Sequence, residues 1–197
     1  MVSRTREKLI EVARQLFANK GVENTTMSDI ASASDKGRRT IYTYFKNKWE
    51  IYEATIENDS ELMVKQLRKE VSLESTPEGK LRRFLRYRLN LFEIPDTQVR
   101  NVRLDSILHL DFNRIDKVRV LALNKEKELL KDILDQGVKD GSFNSIQAKH
   151  FIPVLQFLLR GVDMTQYHDK HHELDIDKTE YKDLIINYII KSLTLKS

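Results

Sequence analysis

The apolar residues of this chain recur at intervals of three and four, and no stretch alternates for long enough to predict a strand. The first segment shows the pattern clearly, because Leu9, Ala13, Leu16 and Phe17 share one helix face and Gly21 follows as a stop. The same spacing continues to the end of the chain and predicts about nine helices with short connections. The predicted helices cover residues 4–19, 26–33, 38–45, a fourth from 47, a fifth from 76, a sixth that ends near Asp111, and then 113–139, 145–168 and 178–195.

Capping residues predict where the second and fourth helices begin, and a polar segment predicts the break before the third. Thr26 with Asp29 three positions later is a capping-box pattern that opens the second helix. Asn47 with Glu50 has the same spacing and opens the fourth helix. Residues 34–37, Ser-Asp-Lys-Gly, break the chain between two short helices. Two short helices around a four-residue break, packed under a longer helix, predict a helix-turn-helix domain.

Composition narrows the class of protein. The 197 residues include no cysteine, which excludes disulfides, thiolate zinc sites and cysteine nucleophiles. Six glycines and three prolines are too few turn-formers for an all-β sandwich. No apolar run approaches the roughly 20 residues of a membrane-spanning helix, and the charged N-terminus lacks the apolar segment of a signal peptide. We therefore expect an all-α, cytoplasmic protein without a membrane contact.

The excess positive charge is confined to the N-terminal part. The first 48 residues hold ten Lys and Arg against five Asp and Glu, a balance of +5. The remaining residues hold 24 against 25, a balance of −1. A local excess of cations can pair with phosphates, although a solvated charged face is the common alternative.

The third predicted helix combines these cations with aromatic residues. Arg38 and Arg39 stand at its N-terminal end, where a recognition helix first meets base edges, although they could also simply solvate the helix end. Ile41 and Phe45, four residues apart, can pack inward. An arginine can fork onto guanine, whereas Tyr and Lys suit phosphates. The side chains left near the outer surface are Tyr42, Thr43, Lys46 and Lys48.

Residues 4–50 resemble the DNA-binding domain of the TetR/AcrR family of bacterial transcriptional regulators. The resemblance runs through the end of the first helix at Leu16-Phe17, the block Thr-Thr-Met-Ser-Asp-Ile-Ala at 25–31, and the block Thr-Ile-Tyr-Thr-Tyr-Phe-Lys-Asn-Lys at 40–48. This chain departs from the family at residues 34–36, where Ser-Asp-Lys replaces the usual Ala-Gly-Val.

The resemblance implies a domain organisation and a partner. Residues 1–48 would form a three-helix helix-turn-helix domain, and residues 49–197 a larger helical domain for ligand sensing and dimerisation. Such proteins bind double-stranded operator DNA as homodimers. The residues expected at DNA are Thr26, Lys36, Arg38, Arg39, Thr40, Tyr42, Thr43, Tyr44 and Lys48.

By the family pattern, the helix at 145–168 and the last helix form the dimer interface. An intramolecular core is the competing interpretation, since an apolar stripe fits both. Gly161 would allow two helices to approach closely. The residues placed at the interface are Val154, Leu158, Gly161, Val162, Leu184, Tyr188 and Ile189.

A pocket for an unknown small-molecule effector is expected among the helices between residues 76 and 168. A mixture of aromatic and polar side chains suits such a site, although each could equally belong to the ordinary core or surface. The candidate lining residues are Phe84, Arg88, Phe92, His109, Phe112, Phe157, Met164 and Tyr167.

The motifs of enzymes and metal sites are missing from the sequence. Residues 168–173, His-Asp-Lys-His-His-Glu, have the side chains of a zinc or nickel site, but they are typical of a polar loop. No Walker loop, dinucleotide glycine pattern or nucleophile elbow is present. We therefore expect no catalytic residues, no metal and no cofactor. The predicted function is a homodimeric repressor released from its operator by a ligand. The alternative is a DNA-binding architectural or protein-interaction module that senses nothing.

Overall fold

The computed structural model describes residues 2–90, 112–167 and 177–194, and every regular element in these ranges is an α-helix. The predicted all-α class is confirmed, and each predicted helix boundary that falls in these ranges lies within two residues of the observed one. The predicted sixth helix lies outside the described residues. The helices are α1 (Val2–Lys20), α2 (Met27–Ala33), α3 (Arg38–Tyr44), α4 (Lys48–Val71), α5 (Pro77–Leu89), α6 (Phe112–Lys139), α7 (Ser145–Tyr167) and α8 (Lys178–Thr194).

Side-chain caps start the helices where the sequence predicts them. The Thr26 hydroxyl accepts the Asp29 N–H at 3.1 Å, and the Asp29 carboxylate accepts the Thr26 N–H at 2.8 Å, which completes the capping box of α2. The Asn47 side chain accepts two backbone N–H groups at the start of α4. Each cap satisfies donors that the first helical turn leaves without partners.

The apolar side chains form two main cores. The first, which we call the head core, joins α1, α2 and α3 to the first turns of α4. Tyr52 of α4 lies edge-on to Phe17 of α1, with ring centroids 5.5 Å apart. The predicted boundary after Lys48 therefore falls where α4 begins, and the next turns of α4 still pack with the head. The head core contains Leu9, Ile10, Ala13, Phe17, Val22, Ile30, Ala31, Ile41, Phe45, Ile51, Tyr52, Ala54 and Ile56.

The second core, the body core, lies among the last turns of α4 and helices α5 to α8. Helix α4 thus takes part in both cores, and it is the element that connects the head to the body. No helix in the described ranges is long and apolar enough to cross a membrane. The body core contains Leu67, Val71, Leu81, Phe84, Leu85, Leu89, Leu129, Leu130, Ile133, Leu134, Phe143, Phe151, Leu155, Leu159, Ile186, Ile189, Ile190 and Leu193.

The turn between α6 and α7 is held by a close contact between a glycine and an aromatic ring. The ring of Phe143 lies directly against the backbone of Gly137, and the Phe143 N–H donates to the Gly137 carbonyl at 2.9 Å. The next residue, Asn144, donates its N–H to the carbonyl of Leu193 at 2.8 Å, which ties this turn to α8. A side chain at position 137 would occupy the space of the ring, so this packing requires glycine.

Candidate nucleic-acid interface

The turn between α2 and α3 closes as a Schellman motif in which Asp35 takes the left-handed conformation. Asp35 has φ 56°, and the N–H groups of Asp35 and Lys36 donate to the carbonyls of Ser32 and Ala31 at 3.2 and 3.0 Å. Glycine is the usual residue in this conformation, and aspartate is one of the few others that tolerate it. This geometry explains why Ser-Asp-Lys can replace the family's Ala-Gly-Val at this turn.

Helix α3 turns its apolar side into the head and its polar side outward. Ile41 and Phe45 are buried in the head core, as the spacing predicts. Arg38, Arg39 and Tyr42 are exposed: Arg39 lies about 200° around the helix from Ile41, and Arg38 is the first residue of the helix. The exposed side of the second short helix of a helix-turn-helix is the surface that enters the major groove of DNA.

The other α3 residues predicted at DNA differ in exposure. Thr43 is exposed, with its hydroxyl donating to the Arg39 carbonyl at 3.0 Å. Thr40 is half-buried, and Tyr44 is half-buried against the head core. The structure therefore exposes Arg38, Arg39, Tyr42 and Thr43 and leaves Tyr44 partly in the packing of the head.

Thr26 lies at the start of α2 within a small charge network. Its hydroxyl donates to the Asp29 carboxylate at 2.7 Å, and Lys20 lies 2.8 Å from the same carboxylate. The hydrogen bonds from Lys20 and Thr26 hold the pKa of Asp29 well below its usual range. Asp29 is therefore ionised at neutral pH, and Lys20 offsets its charge beside Thr26, one of the residues predicted at DNA.

Lys48 makes an intramolecular contact that the sequence pattern does not predict. Its ammonium donates to the carbonyls of Val22 and Glu23 at 2.9 and 2.8 Å and lies 3.7 Å from the Glu23 carboxylate. The side chain thus ties the start of α4 to the loop between α1 and α2. A phosphate contact of Lys48 stays a prediction, whereas its role in holding this loop is new.

Two further cations lie beside the C-terminal end of α3. The guanidinium of Arg6 lies 5.2 Å from the centroid of the Phe45 ring, a cation–π distance, and its side chain is exposed. Lys46, directly after Phe45, is exposed as well. In the sequence, the excess of positive charge in the first 48 residues is the feature that points to these two residues as possible DNA contacts. Only the fold shows that Arg6 of α1 reaches the end of α3.

Of the eight predicted pocket residues, the structure describes the side chains of Phe84, Arg88 and Phe157. Phe84 is fully buried in the body core, and Arg88 is buried and paired with Glu126. The prediction for Phe157 is wrong, because its side chain is 76% exposed on the outside of α7. The predicted pocket residues that lie outside the described residues or side chains are Phe92, His109, Phe112, Met164 and Tyr167.

The predicted dimer residues separate into an exposed set and a buried one. Tyr188 is 71% exposed, whereas its neighbour Ile189 lies in the body core, so the prediction for Ile189 is wrong. One residue is about 100° of helix rotation, and the sequence pattern had merged two faces of α8 into one stripe. Val162 is half-buried against the body core. We call the exposed set, together with Phe157, the outer face: Val154, Phe157, Leu158, Gly161, Leu184 and Tyr188.

No group of three His, Asp or Glu side chains in the part of the chain that the structure describes could hold a metal ion. The histidine-rich segment 168–173 lies outside these ranges.

An all-α chain with a helix-turn-helix head that presents arginines on its second short helix defines a DNA-binding transcriptional regulator. A family model described as bacterial regulatory proteins of the tetR family matches residues 9–55. The probable HTH-type transcriptional regulator YttP of Bacillus subtilis (strain 168) is 30% identical over 161 residues, which span 79% of this chain and 75% of that protein. This chain therefore belongs to the TetR family of bacterial transcriptional regulators.

Two further similarities extend the comparison. The HTH-type transcriptional repressor KstR2 of Mycolicibacterium smegmatis (strain ATCC 700084 / mc(2)155) is 27% identical over 144 residues, which span 70% of this chain and 67% of that protein. The solved structure of the transcriptional regulator FadR from Bacillus subtilis in complex with stearoyl-CoA has a TM-score of 0.68 and 17% identity, covering 95% of this chain and 98% of that one. At this identity, the structural similarity supports the fold.

Proposed function

We propose that this chain is a cytoplasmic, homodimeric repressor without catalytic activity, whose two heads bind a palindromic operator until an effector binds the body. The observation that carries the proposal is the orientation of α3. Ile41 and Phe45 anchor it in the head core, which leaves Arg38 and Arg39 exposed at its N-terminal end. Two guanidinium groups near the positive end of a helix dipole are slightly unfavourable there, so an anionic partner explains them better than local stability does.

Genomic footprinting with the full-length chain tests this function. We expect protection of an inverted repeat whose half-sites lie about one helical turn of DNA, or a multiple of it, apart, because two-fold protein symmetry is matched by two-fold operator symmetry. The bound promoter would also identify the regulated genes. Protection without an inverted repeat, or no sequence-specific protection, would contradict the proposal.

The outer face of α7 and α8 supports the proposed homodimer. Its apolar side chains lie on neighbouring helices at the surface of one protomer, and burying them against a second copy would remove that apolar area from water. Gly161 has open space beside its Cα, so a partner helix could approach closely there.

Replacing Phe157 and Tyr188 together by glutamate is expected to convert the dimer into a folded monomer. Buried aromatic side chains often contribute about 2 kcal/mol or more each to an interface, so the dissociation constant should rise about 1,000-fold or more. Sedimentation velocity at micromolar concentration measures the change. Leu73→Glu is the matched control, since Leu73 is exposed just after α4 and does not belong to the outer face. A wild-type chain that sediments as a monomer would refute the interface.

The effector is proposed to bind within the body. An acyl-coenzyme A thioester is the first probe, since the FadR structure of the same fold contains stearoyl-CoA. Release of the chain from its operator by micromolar acyl-CoA would support an effector of this class. Operator binding that no tested thioester changes would favour the alternative of a DNA-binding module that senses nothing.

A further inference from the structure

A buried acid lies in α4 between the head core and the body core. Asp59 follows Ile56, the last α4 residue of the head core, and precedes Met63. Its side chain is 1% exposed and points to α1, where Nη2 of Arg14 lies 2.9 Å from its Oδ1. Neither Oδ1 nor Oδ2 of Asp59 accepts a hydrogen bond within the described ranges, so the contact with Arg14 is an ion pair without hydrogen-bond geometry. The connection between head and body therefore contains a buried ion pair in which both carboxylate oxygens lack a hydrogen bond.

This pair is a poor source of folding stability. Burial raises the pKa of Asp59 to about 7, and Glu11 adds to the increase, while the nearby Arg14 opposes it. The desolvation of the carboxylate is thus only partly offset. Apolar side chains of similar volume often stabilise a protein as well as a buried ion pair does. What the charges add is an attraction between two specific side chains, 2.9 Å apart, that joins α1 to α4 at this point.

The opposite side of α4 carries a second ion pair. Glu61 lies two residues after Asp59, about 200° around the helix, and its Oε1 is 2.6 Å from Nζ of Lys125 in α6. The next residue of α6, Glu126, is buried, and its Oε2 lies 3.1 Å from Nε of Arg88 in α5. Three ion pairs thus follow one another from α1 through α4 and α6 to α5. We call them the charge chain.

We propose that the charge chain couples the packing of α5 against α6 to the position of the head on α4. Weakening of the Arg88–Glu126 pair loosens the packing of α6 against α5 at this point, and Lys125 moves with α6. The pair with Glu61 carries that movement to α4, where Arg14 and Asp59 transmit it to α1. The consequence for operator affinity rests on the proposed function, whereas the consequence for head position does not.

The head position can be measured directly by spin labelling. Because the chain has no cysteine, Ser32→Cys in the head and Lys131→Cys in the body, both exposed, give two specific label sites. Pulsed electron–electron double resonance on full-length chains, diluted with unlabelled protein, reports the distance within one chain. We expect a narrow distribution for the wild type and a broadened or shifted one for Glu126→Gln. In unlabelled protein, Glu126→Gln should weaken operator binding about fivefold or more.

A double-mutant cycle tests whether the charge chain carries the effect of Glu126→Gln on the distance between head and body. The background variant combines Arg14→Met with Asp59→Leu, which keeps the contact between α1 and α4 filled by apolar side chains. In this background, Glu126→Gln should change the distance distribution no further. An equal change in both backgrounds, or no change in the wild-type background, would overturn the proposal. Glu61→Gln, at the exposed pair, is the second variant if Glu126→Gln unfolds, with the same expected outcomes.

One control removes an ion pair that lies off the charge chain. Glu78→Gln breaks the exposed Glu78–Arg82 pair within α5 and should leave the distribution unchanged. Broadening in this control as well would show a general loosening and would overturn the proposal. Since the distances need no DNA, a failure to find an operator contradicts the proposed function and leaves this test intact.

Discussion

Replacing Arg38 and Arg39 together by alanine is expected to weaken binding to the operator at least about 30-fold. An arginine that forks onto a guanine discriminates against other bases by about 1–3 kcal/mol, and both side chains are exposed at the start of α3. Binding to a duplex of scrambled sequence should fall less than about tenfold, because only the pairing of two charges with phosphates is lost there. Fluorescence anisotropy with both duplexes at one fixed salt concentration measures the two losses.

The matched control removes the same two charges from the body. Lys65 and Arg68 are exposed on the later turns of α4, and their joint replacement by alanine should change operator affinity less than about twofold, because charges this far from the site are screened. If the Arg38 and Arg39 variant lost operator and scrambled binding equally, both arginines would contact phosphates and would not read bases.

Replacing Gly137 by alanine is expected to lower the free energy of unfolding by about 2–3 kcal/mol, although alanine is normally the better helix former by about 1 kcal/mol. An added Cβ would lie 2.1 Å from Cδ2 and 2.5 Å from Cε2 of Phe143. The ring of Phe143 is buried in the body core, and the Phe143 N–H donates to the Gly137 carbonyl. Because both the side chain and the backbone of Phe143 are held, the ring has little room to move aside. Chemical denaturation followed by circular dichroism measures the loss.

A compensating substitution separates this clash from other causes. In the Phe143→Leu background, the smaller side chain should leave room for the methyl group added at position 137, so that Gly137→Ala costs less than about 1 kcal/mol there. A Gly137→Ala protein as stable as the wild type would show that the ring can shift, contrary to the packing seen around this turn.

The sequence predicts the helices of this fold well because their signals are local. Capping residues such as Thr26 and Asn47 lie within three positions of the groups that they satisfy, and the apolar spacing marks one face of each helix. The orientation of α3 was predictable in part for the same reason, since Ile41 and Phe45 facing inward place Arg39, about 200° around the helix from Ile41, on the outside. Arg38 shares the face of Ile41 by spacing and is exposed as the first residue of the helix.

The remaining features depend on contacts between residues far apart in the sequence. Nothing local in α8 distinguishes Tyr188 at the surface from Ile189 in the body core, because both are apolar and adjacent. The same holds for Lys48, whose ammonium is bound by carbonyls of the loop after α1. Likewise, the pairing of Arg14 with Asp59 follows from how α1 lies on α4, and charge patterns cannot predict which charged residues become buried.

The shared use of α4 by both cores means that the DNA-binding head is not a portable module. A fragment ending at Lys48 would lose Ile51, Tyr52 and Ile56, and the apolar surfaces of α1 that they cover, including the ring of Phe17, would face water. If two relatives exchanged their heads at Lys48, the head core of the product would combine α1 to α3 of one protein with the first turns of α4 of the other. An exchange that keeps each core whole must take the turns of α4 through Ile56 together with the head.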